Sequence, residues 1–319
     1  MKFLLPTGIG DSVWAMHKIE SVRKKLDPAS ELSIYLSCGE ISPLQARALD
    51  FIRRFDFVDY VEMKVGYELR KDPIFHPAGY WNYIDDGMYE FEGERYCVLI
   101  PNAALERGIR LEHWLPQYDI DWDIFSRFRI TPEERAVADR LHSRVGPYAV
   151  FYPGPLGGNT FEGHNRNMLW KPKEWIELGD RIRKELNLSI VAVGAPYDYD
   201  YYEHFLAPCL NGSSTYWTNL IGKTTLGELF SITSRAKFVI SYQAGVGIVS
   251  TYLRTPTAIF WRPWGDSLSN HGFLSFKEEM ASAWVPPEIL ESGAHLPLIY
   301  GRHGVPYIMD EIKRRGWAE

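Results

Sequence analysis

Apolar residues along this chain follow two rhythms that take turns. Lys2-Phe3-Leu4-Leu5-Pro6 is a short apolar run that breaks at Thr7-Gly8-Ile9-Gly10, after which Val13, Met16, Ile19 and Val22 recur at helical spacing. The pattern predicts a buried strand, a glycine turn and a helix over about residues 12–26, with Asp11 at the N-cap position. A strand at Leu32–Leu36, a helix at Pro43–Arg54 and an extended piece at Val58–Met63 come next. Strands alternating with helices in this way predict a parallel, doubly wound sheet.

From Lys64 to Glu94 the rhythm gives way to aromatic, Gly- and Pro-rich sequence such as Phe75-His76-Pro77-Ala78-Gly79-Tyr80-Trp81, before a strand at Tyr96–Ile100. This stretch reads as an irregular insertion, placed where a specificity loop is expected. Trp114–Phe128 shows no period. A charged helix at Pro132–His142 gives way to Ser143–Pro147, the expected linker. The alternation then restarts with a strand at Tyr148–Tyr152, a helix at Lys173–Leu186, a strand at Leu188–Val193 and a helix at Leu226–Arg235. Thr224 or Thr225 can cap that last helix, and Glu228 stands at capping-box spacing from Thr225. A strand at Phe238–Ser241, a helix at Val246–Leu253, a strand at Thr257–Trp261 and a final helix at Pro306–Arg315 complete the pattern. The expected organisation is α/β: a Rossmann-like domain over 1–145 with the irregular insertion at about 64–130, and a second over 146–304. A terminal helix in 305–319 is free to return to the first domain.

Composition narrows the functions. The 319 residues carry 35 Lys and Arg against 41 Asp and Glu, a net charge of −6, which argues against a protein that coats nucleic acid or an anionic membrane while leaving a local basic groove open. Cys38, Cys97 and Cys209 are too few and too scattered for a disulfide framework or a CxxC metal site, so a cytoplasmic protein is expected. No apolar run reaches the roughly 18 residues of a membrane-spanning helix. Aromatic residues make up 14% of the chain. Such rings suit sugar-binding clefts but serve as core filler in most places.

Three segments have the composition of ligand sites. Gly8-Ile9-Gly10-Asp11 joins a strand to a helix, and its glycines allow a tight turn and close approach to the helix N-terminus. It is not a dinucleotide fingerprint, since Val13 replaces the third glycine and Ser37-Cys38 stand where an acidic residue should close the second strand. Asp11 is thus either a cap or a carboxylate offered to a substrate. Ser241-Tyr242-Gln243-Ala244-Gly245-Val246-Gly247-Ile248 again leads from strand to helix, and its amides suit a phosphate or, alternatively, its glycines allow close strand-to-helix packing. The loop from Gly154 to Trp170 contains Gly157, Gly158, Asn159, Thr160, His164, Asn165, Arg166 and Asn167, with Arg166 able to pair with a diphosphate. The nine histidines show no metal-ligand spacing, and Asp198 and Asp200 in a tyrosine-rich loop read as solvated carboxylates rather than a metal site. No metal or other cofactor is expected.

Taken in order, these pieces resemble glycosyltransferase family 9, the heptosyltransferase-like enzymes. Leu5-Pro6-Thr7-Gly8-Ile9-Gly10-Asp11 is similar to the family's N-terminal GxGD, and Trp170-Lys171-Pro172-Lys173-Glu174-Trp175-Ile176-Glu177-Leu178 to its W-P-x-x-x-W-x-x-L. Leu220-Ile221-Gly222-Lys223-Thr224-Thr225-Leu226-Gly227-Glu228-Leu229 is similar to L-x-G-K-T-S-L-x-E-L, with Ala236–Ser241 and the Gly245 helix start following at family spacing. The resemblance implies a GT-B fold, two Rossmann-like domains facing across a cleft. It also implies metal-independent, inverting transfer of a sugar from a nucleotide-diphosphate donor to a saccharide or glycolipid acceptor. Asp11 would be the general base, with Gly8, Gly10, Ser12 and Trp14 on the acceptor side. The donor would meet Gly154, Asn165, Arg166, Gly194, Ala195, Gln243, Ala244, Gly245, Val246 and Gly247. Glu228 would reach the ribose, unless its capping-box spacing is its whole role. The chain departs from the family at three places: Gln243 replaces Asp or Asn, Ile248 replaces His, and Met168 replaces a phosphate-binding Lys, for which Arg166 is the substitute on offer.

Three other readings stay open. These departures suit a non-catalytic nucleotide-sugar-binding protein on the same fold. A transferase acting on modified DNA bases would need binding that weakens with salt. A nucleotide-sugar epimerase on a related fold finds no paired acidic residues to support it.

Overall fold

The structure is a computed structural model and describes residues 1–40, 43–66, 88–91, 93–106, 108–154, 170–210, 215–263, 275–276, 278–299 and 302–319. The chain divides into two compact units, Met1–Arg129 and Ile130–Glu319.

In the first unit, β1 (Lys2–Pro6) pairs in parallel with β2 (Ser33–Cys38), which pairs in parallel with β3 (Tyr60–Val65). On its other side β1 pairs in parallel with β5 (Glu94–Val98), which is flanked by the antiparallel β4 (Met88–Phe91). The order is therefore β3-β2-β1-β5-β4. Phe3, Leu4 and Leu5 of the central strand are fully buried, as a doubly covered parallel strand requires. The helices are α1 (Ile9–Leu26), α2 (Pro43–Arg53) and α3 (Pro101–Glu106). The apolar stripe Val13, Met16, Ile19 and Val22 of α1 is buried, while Arg23, Lys24 and Lys25 in its last turn complement the helix dipole.

The span read as an irregular insertion over 64–130 is in fact built into this sheet, since it supplies β4, β5 and α3. The aperiodic stretch after residue 108 is a strap held on α1 by polar groups of that helix. Lys18 Nζ donates to the carbonyls of Leu115 (3.0 Å) and Tyr118 (3.2 Å), Ser21 Oγ accepts from Asp119 N–H (2.8 Å), and Asp121 N–H donates to His17 O (2.8 Å). Such contacts are set by three-dimensional neighbours and leave no period in the sequence.

In the second unit β6 (Tyr148–Tyr152), β7 (Ser189–Ala192), β8 (Trp217–Asn219), β9 (Val239–Tyr242), β10 (Thr257–Pro263) and β12 (His295–Ile299) are all parallel, and β11 (Ser275–Phe276) pairs with the end of β10. Read across the sheet the order is β8-β7-β6-β9-β10-β12, the doubly wound pattern of a Rossmann fold. Besides the short helical segment that begins at Tyr199, its helices among the described residues are α4 (Pro132–Val145), α5 (Pro172–Leu186), α6 (Leu226–Arg235), α7 (Gly245–Tyr252), α8 (Pro287–Glu291) and α9 (Val305–Arg314).

Helix α4, expected to end the first domain, packs on α6 and belongs to the second unit. Its Glu134 explains this attachment. Thr131 and Glu134 form a capping box at the start of α4, and the other oxygen of Glu134 accepts the hydroxyl of Thr225, which caps α6. The terminal α9 packs on α5 in its own unit, where Lys313 pairs with Glu185. None of Cys38, Cys97 and Cys209 is in a disulfide. Among the described residues no helix is long and apolar enough to cross a membrane.

Candidate functional site

Open α/β sheets take ligands outside the carboxyl ends of their strands, at the point where the strand order reverses. In the first unit that point lies between β1 and β5, and in the second between β6 and β9. The candidate residues are accordingly considered in each unit by itself.

At the end of β1 the chain turns through Gly8 (φ 154°), and α1 begins at Ile9. Asp11 is therefore not the N-cap, as the sequence suggested, but a residue of the first helical turn, while Gly8 caps with no side-chain bond among the described residues. A Cβ on Gly8 would stand 2.8 Å from Asp11 Oδ2, so the glycine leaves room for that carboxylate. Asp11 is 5% exposed and lies in the first turn of α1, at the positive end of the helix dipole. Ser12 is fully buried and its hydroxyl donates to Gly8 O (2.8 Å), so this group holds the turn. Gly10 lies in the first turn, and Trp14 is buried in the core of the unit.

At the end of β9, Gln243 N–H donates to Phe260 O (3.0 Å) and α7 starts at Gly245 with Ala244 as its N-cap. Among the described residues no side chain caps this helix, and its first turn has no acidic residue. The first amides of a helix have no partner within it, so an uncapped, dipole-positive start offers donors to an anion. Gln243 and Ala244 are buried, and Gly245 and Val246 half-buried. Gly247 has a structural reason to be glycine: a Cβ there would meet Ser241 Cβ and Oγ at 3.0 Å and Ile259 Cγ1 at 3.2 Å, so it allows close strand-to-helix packing.

Beside β6 and β7 the prominent group is one the sequence reading misjudged. Asp198, expected to be solvated, is 1% exposed, whereas Asp200 is exposed. The carboxylate of Asp198 accepts from Ala195 N–H (2.8 Å) and Tyr152 OH (3.1 Å), and both Gly154 and Gly194 pack against it. Glu228 is engaged in the capping box of α6, accepting Thr225 N–H (2.8 Å) while its own N–H donates to Thr225 Oγ1 (3.2 Å). Asn165, Arg166 and Met168 lie outside the described residues. Asp119, Asp121 and Asp123 form a further i, i+2 series that the sequence reading passed over. It sits on the strap, where Asp121 Oδ1 accepts Asp123 N–H (3.0 Å). Among the described residues no three His, Cys, Asp or Glu side chains gather as metal ligands.

No protein-family model and no curated protein sequence matches the chain. Solved structures do match over nearly its whole length. The Escherichia coli ADP-heptose lipopolysaccharide heptosyltransferase II aligns over 99% of this chain and 98% of its own, with 14% identity and a TM-score of 0.57. A family 9 glycosyl transferase from Veillonella parvula aligns over 99% and 92%, with 14% identity and a TM-score of 0.56. The E. coli heptosyltransferase WaaC, solved with ADP, aligns over 100% and 99%, with 13% identity and a TM-score of 0.51. This chain therefore has the two-unit α/β fold of GT-B heptosyltransferase structures.

Proposed function

We propose that this protein is a glycosyltransferase that moves a sugar from a nucleoside-diphosphate donor to the hydroxyl of a saccharide or glycolipid acceptor. The reading is carried by two helix starts, one in each unit and each taken by itself, on a fold shared with heptosyltransferases. A carboxylate, Asp11, lies in the first turn after β1, and an uncapped helix start lies at Ala244–Gly247 after β9. In this reading the acceptor oxygen attacks the anomeric carbon as the bond to the diphosphate breaks, and Asp11 takes the acceptor's proton. In this reading the charge that builds on the leaving diphosphate is met by the α7 amides, with Arg166, outside the described residues, given the same task by the family resemblance alone, and no metal ion is called for. A single displacement inverts the anomeric centre. Neighbours named for ADP-heptose and solved with ADP make adenosine diphosphate the first base to try.

A binding protein without turnover is a second reading, favoured by one observation. Ile248, where the family carries His, is 6% exposed and packs as an apolar residue of α7. One experiment separates the two. Purified protein is incubated with ADP-, UDP-, GDP- and dTDP-sugars in the presence of a chelator, and release of nucleoside diphosphate is followed. Release from one donor, with an inverted anomer in any transferred product, supports transfer. Saturable binding without release supports the sensor, and neither binding nor release rejects both.

A further inference from the structure

Asp198 sits at the rim of the second sheet, where its environment exceeds the needs of a turn. It stands four residues after Gly194, and its Oδ2 accepts two hydrogen bonds, from Ala195 N–H (2.8 Å) and from the Tyr152 hydroxyl (3.1 Å). Tyr152 ends β6 and Ala195 opens the loop after β7, so one oxygen ties together the carboxyl ends of two neighbouring strands. A simple cap of the short turn at Pro196–Asp198 would need the Ala195 bond alone.

Two glycines make room for this carboxylate. A Cβ on Gly154 would meet Asp198 Cγ and Oδ1 at 2.9 Å, and one on Gly194 would meet Asp198 Oδ2 at 3.0 Å and Cβ at 3.2 Å. The family resemblance placed the donor against the same two glycines. What approaches them is Asp198. A carboxylate that is 1% exposed is costly to bury, and an apolar side chain would fill the space at lower cost if only stability mattered. Its location is also telling, because β6 borders the reversal point where a doubly wound sheet takes its ligand.

We infer that Asp198 is a positioning residue that holds Gly154, after β6, and the turn Gly194–Asp198, after β7, in the shape that receives the nucleoside of a nucleoside-diphosphate ligand. This rests on the donor-site reading above. The diphosphate belongs to the α7 amides, beyond β9, so Asp198 governs affinity for the nucleoside end and not for the phosphates.

Calorimetric titrations of the full chain with ADP, UDP, GDP and inorganic pyrophosphate test this in the wild type, Asp198→Ala, Asp198→Asn and Tyr152→Phe. Because both bonds fall on one oxygen, the carbonyl of Asn can keep them, and Asp198→Asn is expected to bind the preferred nucleotide within threefold of wild type. Asp198→Ala is expected to weaken it tenfold or more and Tyr152→Phe two- to fivefold, with pyrophosphate affinity changed less than twofold throughout. A purely structural role would move nucleotide and pyrophosphate affinity together, and that result overturns the inference, as does unchanged nucleotide binding by Asp198→Ala. If that variant does not fold, Tyr152→Phe decides, and unchanged affinity there overturns the inference. A wild-type protein that binds none of the four probes overturns the donor-site reading and this one with it.

Discussion

Helices α1 and α7, at the two sheet reversal points, start differently from α4, α5 and α6, although the short α8 and the terminal α9 also start without a side-chain cap among the described residues, at Pro286 and Gly304. Helices α4, α5 and α6 each close their N-terminus with a glutamate. Glu134, Glu174 and Glu228 accept the backbone N–H of Thr131 (3.0 Å), Lys171 (2.6 Å) and Thr225 (2.8 Å). Helices α1 and α7, which start at the two sheet reversal points, have Gly8 and Ala244 as N-caps with no side-chain cap among the described residues. A good cap contributes about 0.5–2 kcal/mol, so its omission at α7, whose first turn has no acidic residue, leaves amide donors for another use. The two uncapped starts then differ from each other: α1 has a carboxylate in its first turn and α7 has none. The same local architecture thus presents a negative group in one unit and an anion-seeking end in the other.

Removing the charge from α1 should have the largest effect. Asp11→Asn keeps the size and hydrogen-bonding capacity of the side chain, so its melting temperature is expected to stay near wild type while sugar transfer falls by roughly 100-fold or more. Wild-type rates in this variant would leave α1 as scaffold.

Acid should affect both units through a buried histidine in each. His17 on α1 and His295 on β12 have pKa values lowered from 6.5 to about 4, chiefly by burial. Because the folded value is depressed for a base, the unfolded chain binds more protons between pH 6.5 and 4, and stability falls as pH drops through that window. Each histidine accounts for a loss on the order of 3 kcal/mol across it. Chemical denaturation at pH 7 and 4.5 should show this loss, with His17→Gln and His295→Gln each making it shallower. A loss unchanged in both variants would assign the acid sensitivity elsewhere.

A capped helix should respond to steric change with no loss of chemistry. A Cβ on Gly227 would lie 2.0 Å from Glu134 Oε2, at the contact between the α4 and α6 caps. Gly227→Ala is expected to cost about 1–3 kcal/mol and Glu134→Ala about 1 kcal/mol. The double variant should be less damaged than their sum by about 1 kcal/mol, because removal of the carboxylate relieves the clash. Strict additivity in a denaturation series would contradict the interlock.

Much of this arrangement was legible in the sequence because it is local. The strand, glycine turn and helix at residues 2–26 and the Thr225–Glu228 capping box follow from short-range spacing alone. What escaped depends on distant partners. Asp198 looks solvated beside Asp200, and only Tyr152, Gly154 and Gly194 folding around it reveal a buried group. Strand β12 escaped because Pro297 sits within it, which is tolerated where β12 pairs with β10 at the end of the sheet order. The strap over α1 has no periodicity since side chains of α1 hold it. Asp11, expected at the N-cap, lies three positions further into the helix because a side chain that fits an N-cap is equally at home in the first turn, and Gly8 let the helix start sooner.

The most direct test makes the start of α7 resemble the capped ones. Ala244→Asp would supply a cap worth about 0.5–2 kcal/mol and place a carboxylate where the proposed function puts the diphosphate. Melting temperatures of wild type and variant would be followed with ADP-, UDP-, GDP- and dTDP-sugars. A ligand at 100 times its dissociation constant adds about 2.7 kcal/mol, a rise of several degrees. The account predicts that rise with one nucleotide in the wild type and little or none in Ala244→Asp, although the unliganded variant melts at or above the wild type. An equal rise in both proteins, or no rise with any nucleotide in the wild type, would contradict it.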